Sequence, residues 1–195
     1  MFEWFTPAID AEYRELAGRY GEPITMGVAA PYASATRRAT GGERQGEVCM
    51  VVRRPTGTLL TMTKHFYPTG IFRLPTGGIE AGESILAALL RETYEETGLT
   101  VQVTRFLAAL NYLDGETPFF ASFAFLLDEV GGTLGAVDPA EQVLAFREVR
   151  VADLPALADQ MAALGDGYST DLAMRWHDWG QQRMALHRVV WQALR

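Results

Sequence analysis

The chain has 195 residues, 48% of them hydrophobic and 21% charged, which is the make-up of one packed domain with additions at its ends and excludes a disordered chain. A net charge of −7 argues against sequence-independent binding to DNA, RNA or acidic membranes, because each needs a basic face. The single cysteine, Cys49, excludes an internal disulfide framework and a cysteine-rich zinc site, and its setting in EVCMVV reads as a small hydrophobe in a strand.

The N-terminus, MFEWFTPAIDAEYREL, carries acidic residues and Pro7 where a signal peptide needs a basic start and an apolar core. No run approaches the roughly 20 apolar residues of a spanning helix, so a cytoplasmic protein with no membrane partner is expected. Residues 8–20 read as a helix that stops at Gly21 and Pro23, and residues 24–30 as a short strand. Residues 31–46, small, polar and glycine-bearing with Arg37, Arg38 and Arg44, read as a mobile loop. Strand-like runs follow at 47–54 and 58–64, joined by the turn Pro55-Thr56-Gly57, and at 101–113 and 118–129, separated by Asp114-Gly115. Residues 144–151 alternate as a strand does, and 152–164 and 170–194 read as helices. Strands, one helix, more strands and then helices imply an α/β fold: a mixed sheet with helices packed against it. The last helix sets Ala173, Trp176, Gly180, Met184, His187, Trp191 and Leu194 on one stripe, which packs on the body or serves a homodimer contact. His177 and His187 read as packing residues and not as ligands.

Between the two pairs of strands lies GGIEAGESILAALLRETYEETGL, residues 77–99. Ser84 suits the N-cap of its helix, Leu86, Leu89 and Leu90 give an apolar stripe, and Gly98 suits a left-handed C-terminal position. Glu92, Glu95 and Glu96 stand at i, i+3 and i+4, on one face of that helix. Like charges at this spacing repel by a few tenths of a kcal/mol per pair, roughly, and only Arg91 lies close enough in sequence to offset them. The negative end of the helix dipole adds to the penalty. A solvated acidic surface explains none of this, whereas a divalent cation removes the repulsion. Oxygen-only donors are what Mg²⁺ or Mn²⁺ prefers, and such ions take up phosphate oxygens. The preceding glycines let the backbone approach whatever the carboxylates hold.

In full, Gly77, Glu83, Arg91-Glu92, Glu95-Glu96 and Gly98 occupy all seven fixed positions of GX5EX7REUXEEXGU in register, and the stretch resembles the Nudix box. One aliphatic slot holds Thr93, whose hydroxyl can return to a carbonyl one turn earlier; this departure should touch stability more than chemistry. The resemblance covers some 23 residues closely and implies a Nudix-type α/β/α sandwich over residues 47–164. Residues 1–46 then form an N-terminal extension and residues 165–195 a C-terminal helix. It also implies metal-dependent hydrolysis of a phosphoanhydride bond in a small nucleoside diphosphate derivative. Carried over by position, Glu92, Glu95 and Glu96 are metal ligands, joined by the carbonyl of Gly77. Arg91 orients the carboxylates, and Glu83 acts on them without touching the metal. The general base is either a glutamate of the box or a carboxylate on a later loop, where Glu141 is the candidate and Asp138 a weaker one.

For the substrate, Arg73, Lys64 and Tyr112 are the candidate contacts, with Arg53 and Arg54 sharing the ambiguity of any strand arginine and Phe66 and Tyr67 able to stack on a base. The residues that mark the ADP-ribose, coenzyme A and NADH branches are not in place; LDGET and Pro118 stand where the first would carry an earlier proline. The resemblance therefore implies a substrate class and not one compound. The alternatives are a Nudix-fold sensor that binds such a ligand without cleaving it, and an isomerase-like enzyme that would need Cys49 at its site. An intact box speaks against the first and the strand setting of Cys49 against the second.

Overall fold

The computed structural model describes residues 5–30, 33 and 46–195. The expected 31–46 loop, with Arg37, Arg38 and Arg44, lies outside the described residues apart from positions 33 and 46. Helix α1 (Pro7–Tyr20) starts where the Thr6 hydroxyl accepts the Ile9 N–H at 3.1 Å and Pro7 needs no partner. The strands are β1 (Ile24–Ala29), β2 (Gly46–Arg53), β3 (Leu59–Lys64), β4 (Thr76–Gly78), β5 (Leu99–Asp114), β6 (Thr117–Gly132) and β7 (Val143–Val149). Helix α2 (Ile85–Thr97) joins β4 to β5, and helices α3 (Leu154–Ala162) and α4 (Trp176–Ala193) follow β7.

The sheet runs β1-β5-β6-β2-β3-β7, with β4 paired to β2. It is mixed: β1 lies parallel to β5 and β2 parallel to β6, while the other pairs are antiparallel. Strand β2 is buried on both sides, and its side chains divide two cores by the period of two. Val48, Met50 and Val52 face Ile9 and Leu16 of α1 and Ile85, Ala88 and Leu89 of α2. Cys49 and Val51 face Leu157 and Met161 of α3 and Leu186, Val189 and Val190 of α4. Helices on both faces of one sheet make the α/β/α sandwich. Cys49 is sealed in this second core, where burial pushes its thiol up to about 12, far from a reactive thiolate.

The C-terminal region departs from the sequence reading. Residues 170–175 are not helical: Ser169 accepts the Leu172 N–H, Ala173 takes a left-handed φ of 51°, and β8 (Tyr168–Ser169) pairs with β9 (Met174–Arg175) in a small hairpin. Helix α4 begins only at Trp176. Its buried face carries Trp179, Gln182, Arg183, Leu186, His187 and Val190, whereas Trp176, Met184 and Trp191 of the expected stripe are half-buried. The expected stripe meets this face at Gly180 and His187 and passes over Gln182 and Arg183, which are polar yet buried.

Candidate active site

Strands β2 and β3 share one register pair, Arg53 with Leu59, at their hairpin end and then separate. Residues 73–78 fill the gap. Arg73 bridges to Met62, the Met50 N–H donates to the Pro75 carbonyl at 3.0 Å, and β4 pairs with Glu47, Val48 and Cys49. From α4, His187 Nε2 accepts the Leu74 N–H at 2.9 Å, which fixes this wedge from the other face. The chain then turns into α2, where the Ser84 hydroxyl caps Ala87 at 3.1 Å and Gly98 closes the helix in the left-handed region at φ 66°. A second cap comes from α1: the Glu12 carboxylate accepts the Ile85 and Leu86 N–H groups at 2.6 and 3.0 Å.

On α2, Glu92 and Glu96 are buried and Glu95 is half-buried. Arg91 braces them. Its Nη1 donates to Glu92 at 3.0 Å and Glu95 at 2.9 Å, its Nε and Nη2 both reach Glu83 at 2.8 Å, and Nη2 also reaches the Gly78 carbonyl at 3.0 Å. The Glu83 hydrogen bonds foremost, with the charges of Glu92 and Glu95, raise the guanidinium further above its ordinary value. A Cβ on Gly77 would lie 1.9 Å from Glu92 Cδ, so only glycine fits against that carboxylate. Thr93 is fully buried and its hydroxyl donates to the Leu89 carbonyl at 2.6 Å, the return bond that reconciles threonine with an aliphatic slot.

Glu141 arrives from a 3-10 turn (Pro139–Glu141) before β7, capped by the Asp138 side chain on the Ala140 N–H. Single carboxylate oxygens of Glu92, Glu95 and Glu141 lie within 4.8 Å of one another. Glu96 is outside that set, turned toward Lys64, whose Nζ is 2.9 Å from Glu96 Oε1 and 2.7 Å from Glu141 Oε2. Both Glu96 oxygens are buried without an aligned hydrogen bond, and burial pushes the carboxyl up to about 7 against the pull of Lys64 and Arg73. Burial would also raise Glu141, but the hydrogen bond and charge of Lys64 outweigh it and hold Glu141 below the usual carboxylate range. Lys64 itself is held above its ordinary value because Glu96 and Glu141 overcome its burial.

A cavity of about 220 Å³ opens beside this cluster, with Lys64, Arg73, Gly77, Gly78, Glu92 and Glu141 in its lining. Arg73 is almost wholly buried and largely committed to the fold: Nε donates to the Tyr67 hydroxyl at 2.7 Å, and Nη1 to the Leu74 carbonyl at 2.7 Å and Thr76 Oγ1 at 3.0 Å. Phe66 and Tyr67 line the cavity. Tyr112 does not. It is fully buried in the core under α4, because its position on β5 points to the packed face, and so it does not reach the cavity as the expected substrate contact. Arg53 is forked to Asp128, and Arg54 pairs with Glu129 and Glu148, all outside the cavity lining. The sequence reading missed Glu47, Trp179, Gln182 and Arg183 in the same lining. The available signal was a charged residue opening an otherwise apolar strand, and Gln182-Arg183 on the buried side of an amphipathic helix.

The residues present fit a divalent cation. The donors are all oxygen, three carboxylates converge, and two buried oxygens of Glu96 have no aligned donor.

A family model of the NUDIX domain matches residues 43–171. The chain is similar to an ADP-ribose pyrophosphatase of Methanocaldococcus jannaschii, 34% identical over 97 residues, 49% of this chain and 57% of that protein. It is also similar to Nudix hydrolase 6 of Arabidopsis thaliana, 33% identical over 88 residues, 44% of this chain and 30% of that one. The matched stretch thus spans little over half of the first relative and under a third of the second. Among solved structures, an ADP-ribose pyrophosphatase of Streptococcus suis is 17% identical with a TM-score of 0.49, covering 78% of this chain and 92% of that one.

Proposed function

Because the chain belongs to the Nudix family through residues 43–171, we propose that it hydrolyses a phosphoanhydride bond in a small nucleoside diphosphate derivative, with Mg²⁺ or Mn²⁺ as cofactor. The observation that carries this reading is the meeting of Glu92 and Glu95 from α2 with Glu141 from a separate turn, within 4.8 Å and beside a cavity. Glu92, Glu95 and Glu96, with the carbonyl of Gly77, would hold the metal. A bound divalent ion supplies charge neutralisation at phosphate oxygens and a lowered pKa for water.

The side chains do the rest. Arg91 fixes the carboxylates through its forked donors while Glu83 holds the guanidinium in place. Glu141, kept ionised by Lys64, takes the proton of the attacking water as general base. Lys64, and Arg73 through its charge, oppose the negative phosphates in that cavity.

The test is a Mg²⁺-dependent hydrolysis panel with products identified by mass, spanning ADP-ribose, nucleotide sugars, nucleoside triphosphates, dinucleoside polyphosphates, NADH and coenzyme A. One class should be cleaved by the wild type, with kcat lowered about 10²- to 10⁴-fold in Glu141→Gln and lost in Glu92→Gln. Full activity in Glu92→Gln would remove it from the metal site. No turnover anywhere, with one compound still raising the melting temperature, would establish the non-catalytic sensor instead.

A further inference from the structure

Part of the cavity lining comes from a different stretch of the chain. Met174, Trp179, Gln182 and Arg183 all lie beyond residue 171, where the family match ends. They line it together with Glu47, the strand residue paired with Gly78 and so one strand away from the glycines beside Glu92.

Glu47 is 5% exposed and forms a buried ion pair with Arg183, Nη1 to Oε1 at 2.6 Å, across 136 residues of sequence. Ser122 Oγ donates to the same oxygen at 2.6 Å. Both bonds fall on Oε1, and Oε2 has no hydrogen-bond partner among the described residues. The side-chain amide of Gln182, a residue 4% exposed, has none either. Two buried polar side chains thus reach a cavity with bonding capacity unspent, where nearly all such groups are satisfied in a folded protein. Burying an ion pair is costly, and an apolar pair of equal volume often serves stability as well. What the apolar pair lacks is an oriented acceptor.

Tyr67 lies 5.0 Å from Trp179 at 59° and 5.0 Å from Phe66 at 87°. These three lining rings pack on one another by edges and tilts and not as a parallel pair. The cavity, about 220 Å³, is below the roughly 300–1,000 Å³ of sites that enclose a whole drug-sized ligand. It encloses a part of such a ligand and not the whole.

We propose that Glu47 and Gln182, backed by Arg183 and the wall of Trp179, form a subsite that binds the hydroxyls of a sugar attached directly to the diphosphate. The hydroxyls donate to Glu47 Oε2, and the Gln182 amide offers one acceptor and one donor. The subsite rests on the diphosphate reading above and adds to it recognition of one of the two sugars that flank the diphosphate. A site with a buried carboxylate set to receive a hydroxyl discriminates strongly against a ligand that lacks it.

Two sugars flank the diphosphate in such a ligand, and the test separates them. Dissociation constants are measured calorimetrically in Mg²⁺ for three non-hydrolysable probes: α,β-methylene ADP-ribose, its 2′,3′-dideoxyadenosine counterpart, and α,β-methylene ADP, which has no distal sugar. Glu47→Gln and Gln182→Ala should each weaken the first probe, Glu47→Gln by about ten-fold or more. At least one of the other probes should bind wild type and variants alike, and that one names the sugar. Equal weakening of all three probes, or of none, overturns the subsite. Gln182→Ala removes no hydrogen bond that the side chain makes among the described residues, so it keeps the test open if Glu47→Gln does not fold. Loss of this selectivity alongside intact hydrolysis overturns the subsite alone; lack of hydrolysis alongside intact selectivity overturns the hydrolase reading alone.

Discussion

Glu12 lies in α1, ahead of the family match, yet both its oxygens serve the first turn of α2, accepting Ile85 N–H at 2.6 Å and Leu86 N–H at 3.0 Å. Replacing it by alanine leaves two N–H groups to solvent and removes a negative charge from the positive end of the helix dipole. Hydrogen bonds to a charged group contribute about 1.5–3 kcal/mol each when buried, and a carboxylate at a helix N-terminus about 0.3–1 kcal/mol. Water can reach this half-buried position, and one carboxylate makes both bonds, so the loss should be about 2–3 kcal/mol. At about 2–4 °C per kcal/mol for a chain of this size, the melting temperature should fall by about 5–10 °C. The assay is urea unfolding with a parallel calorimetric melt, and Glu15→Ala is the control because Glu15 is exposed on the same helix. The control should change stability by less than about 0.5 kcal/mol. If the two variants unfold within that margin of each other, α1 does not brace α2 and the reasoning fails.

Gly77→Ala would set a methyl 1.9 Å from Glu92 Cδ and should lower hydrolysis by about 10²-fold through misplacement of that carboxylate, with weaker Mn²⁺ binding by titration; a rate above a tenth of wild type contradicts the cradle. His187→Gln tests a buried neutral imidazole, which accepts from Leu74 and bonds the Arg183 carbonyl, and whose pKa burial pushes down to about 3. The unfolded chain takes up that proton near pH 6.5 and the folded one refuses it, so wild-type stability from this group is whole above 6.5 and is lost as pH falls toward 3. Glu96, raised to about 7, acts in the opposite sense between its ordinary 4.5 and 7. Between pH 8 and pH 5 the glutamine variant should therefore gain about 2 kcal/mol relative to wild type in urea midpoints, and a pH-independent difference refutes the buried neutral histidine.

Local chemistry written in consecutive residues was legible. The spacing of Glu92, Glu95 and Glu96, the Ser84 cap and the Gly98 terminus are consequences of one helix, and the two hairpin turns at Gly57 and Gly115 are equally local. What required folding was long-range. Nothing near Lys64 foretells that its ammonium lies between Glu96 and Glu141, 32 and 77 residues away. Tyr112 was misjudged because an aromatic on a strand reads the same whichever face its neighbour covers. The buried face of α4 was legible at Gly180 and His187 but not at its polar members Gln182 and Arg183, and only a distant partner, Glu47, makes the burial of Arg183 tolerable. The helix expected over 170–194 lost its first turns to a hairpin, which Ala173 enters at a backbone angle no propensity would assign to it.

Strand β2 lies parallel to β6 from Gly46 opposite Ala121 to Arg53 opposite Asp128, and that alignment is a specification with two readers. A slip of one residue would turn every side chain of β2 to the other face. Val48 would replace Glu47 above the cavity, Glu47 would be thrust among Ile85 and Leu89, and the carboxylate would leave Arg183 stranded. At the far end of the strand, Arg53 and Asp128 close a two-bonded fork at 2.7 and 2.8 Å in partial exposure to solvent. An ion pair so placed adds little free energy. It is satisfied by one alignment alone, and so a surface contact seven residues from Arg53's own strand start helps decide which side chain the cavity receives.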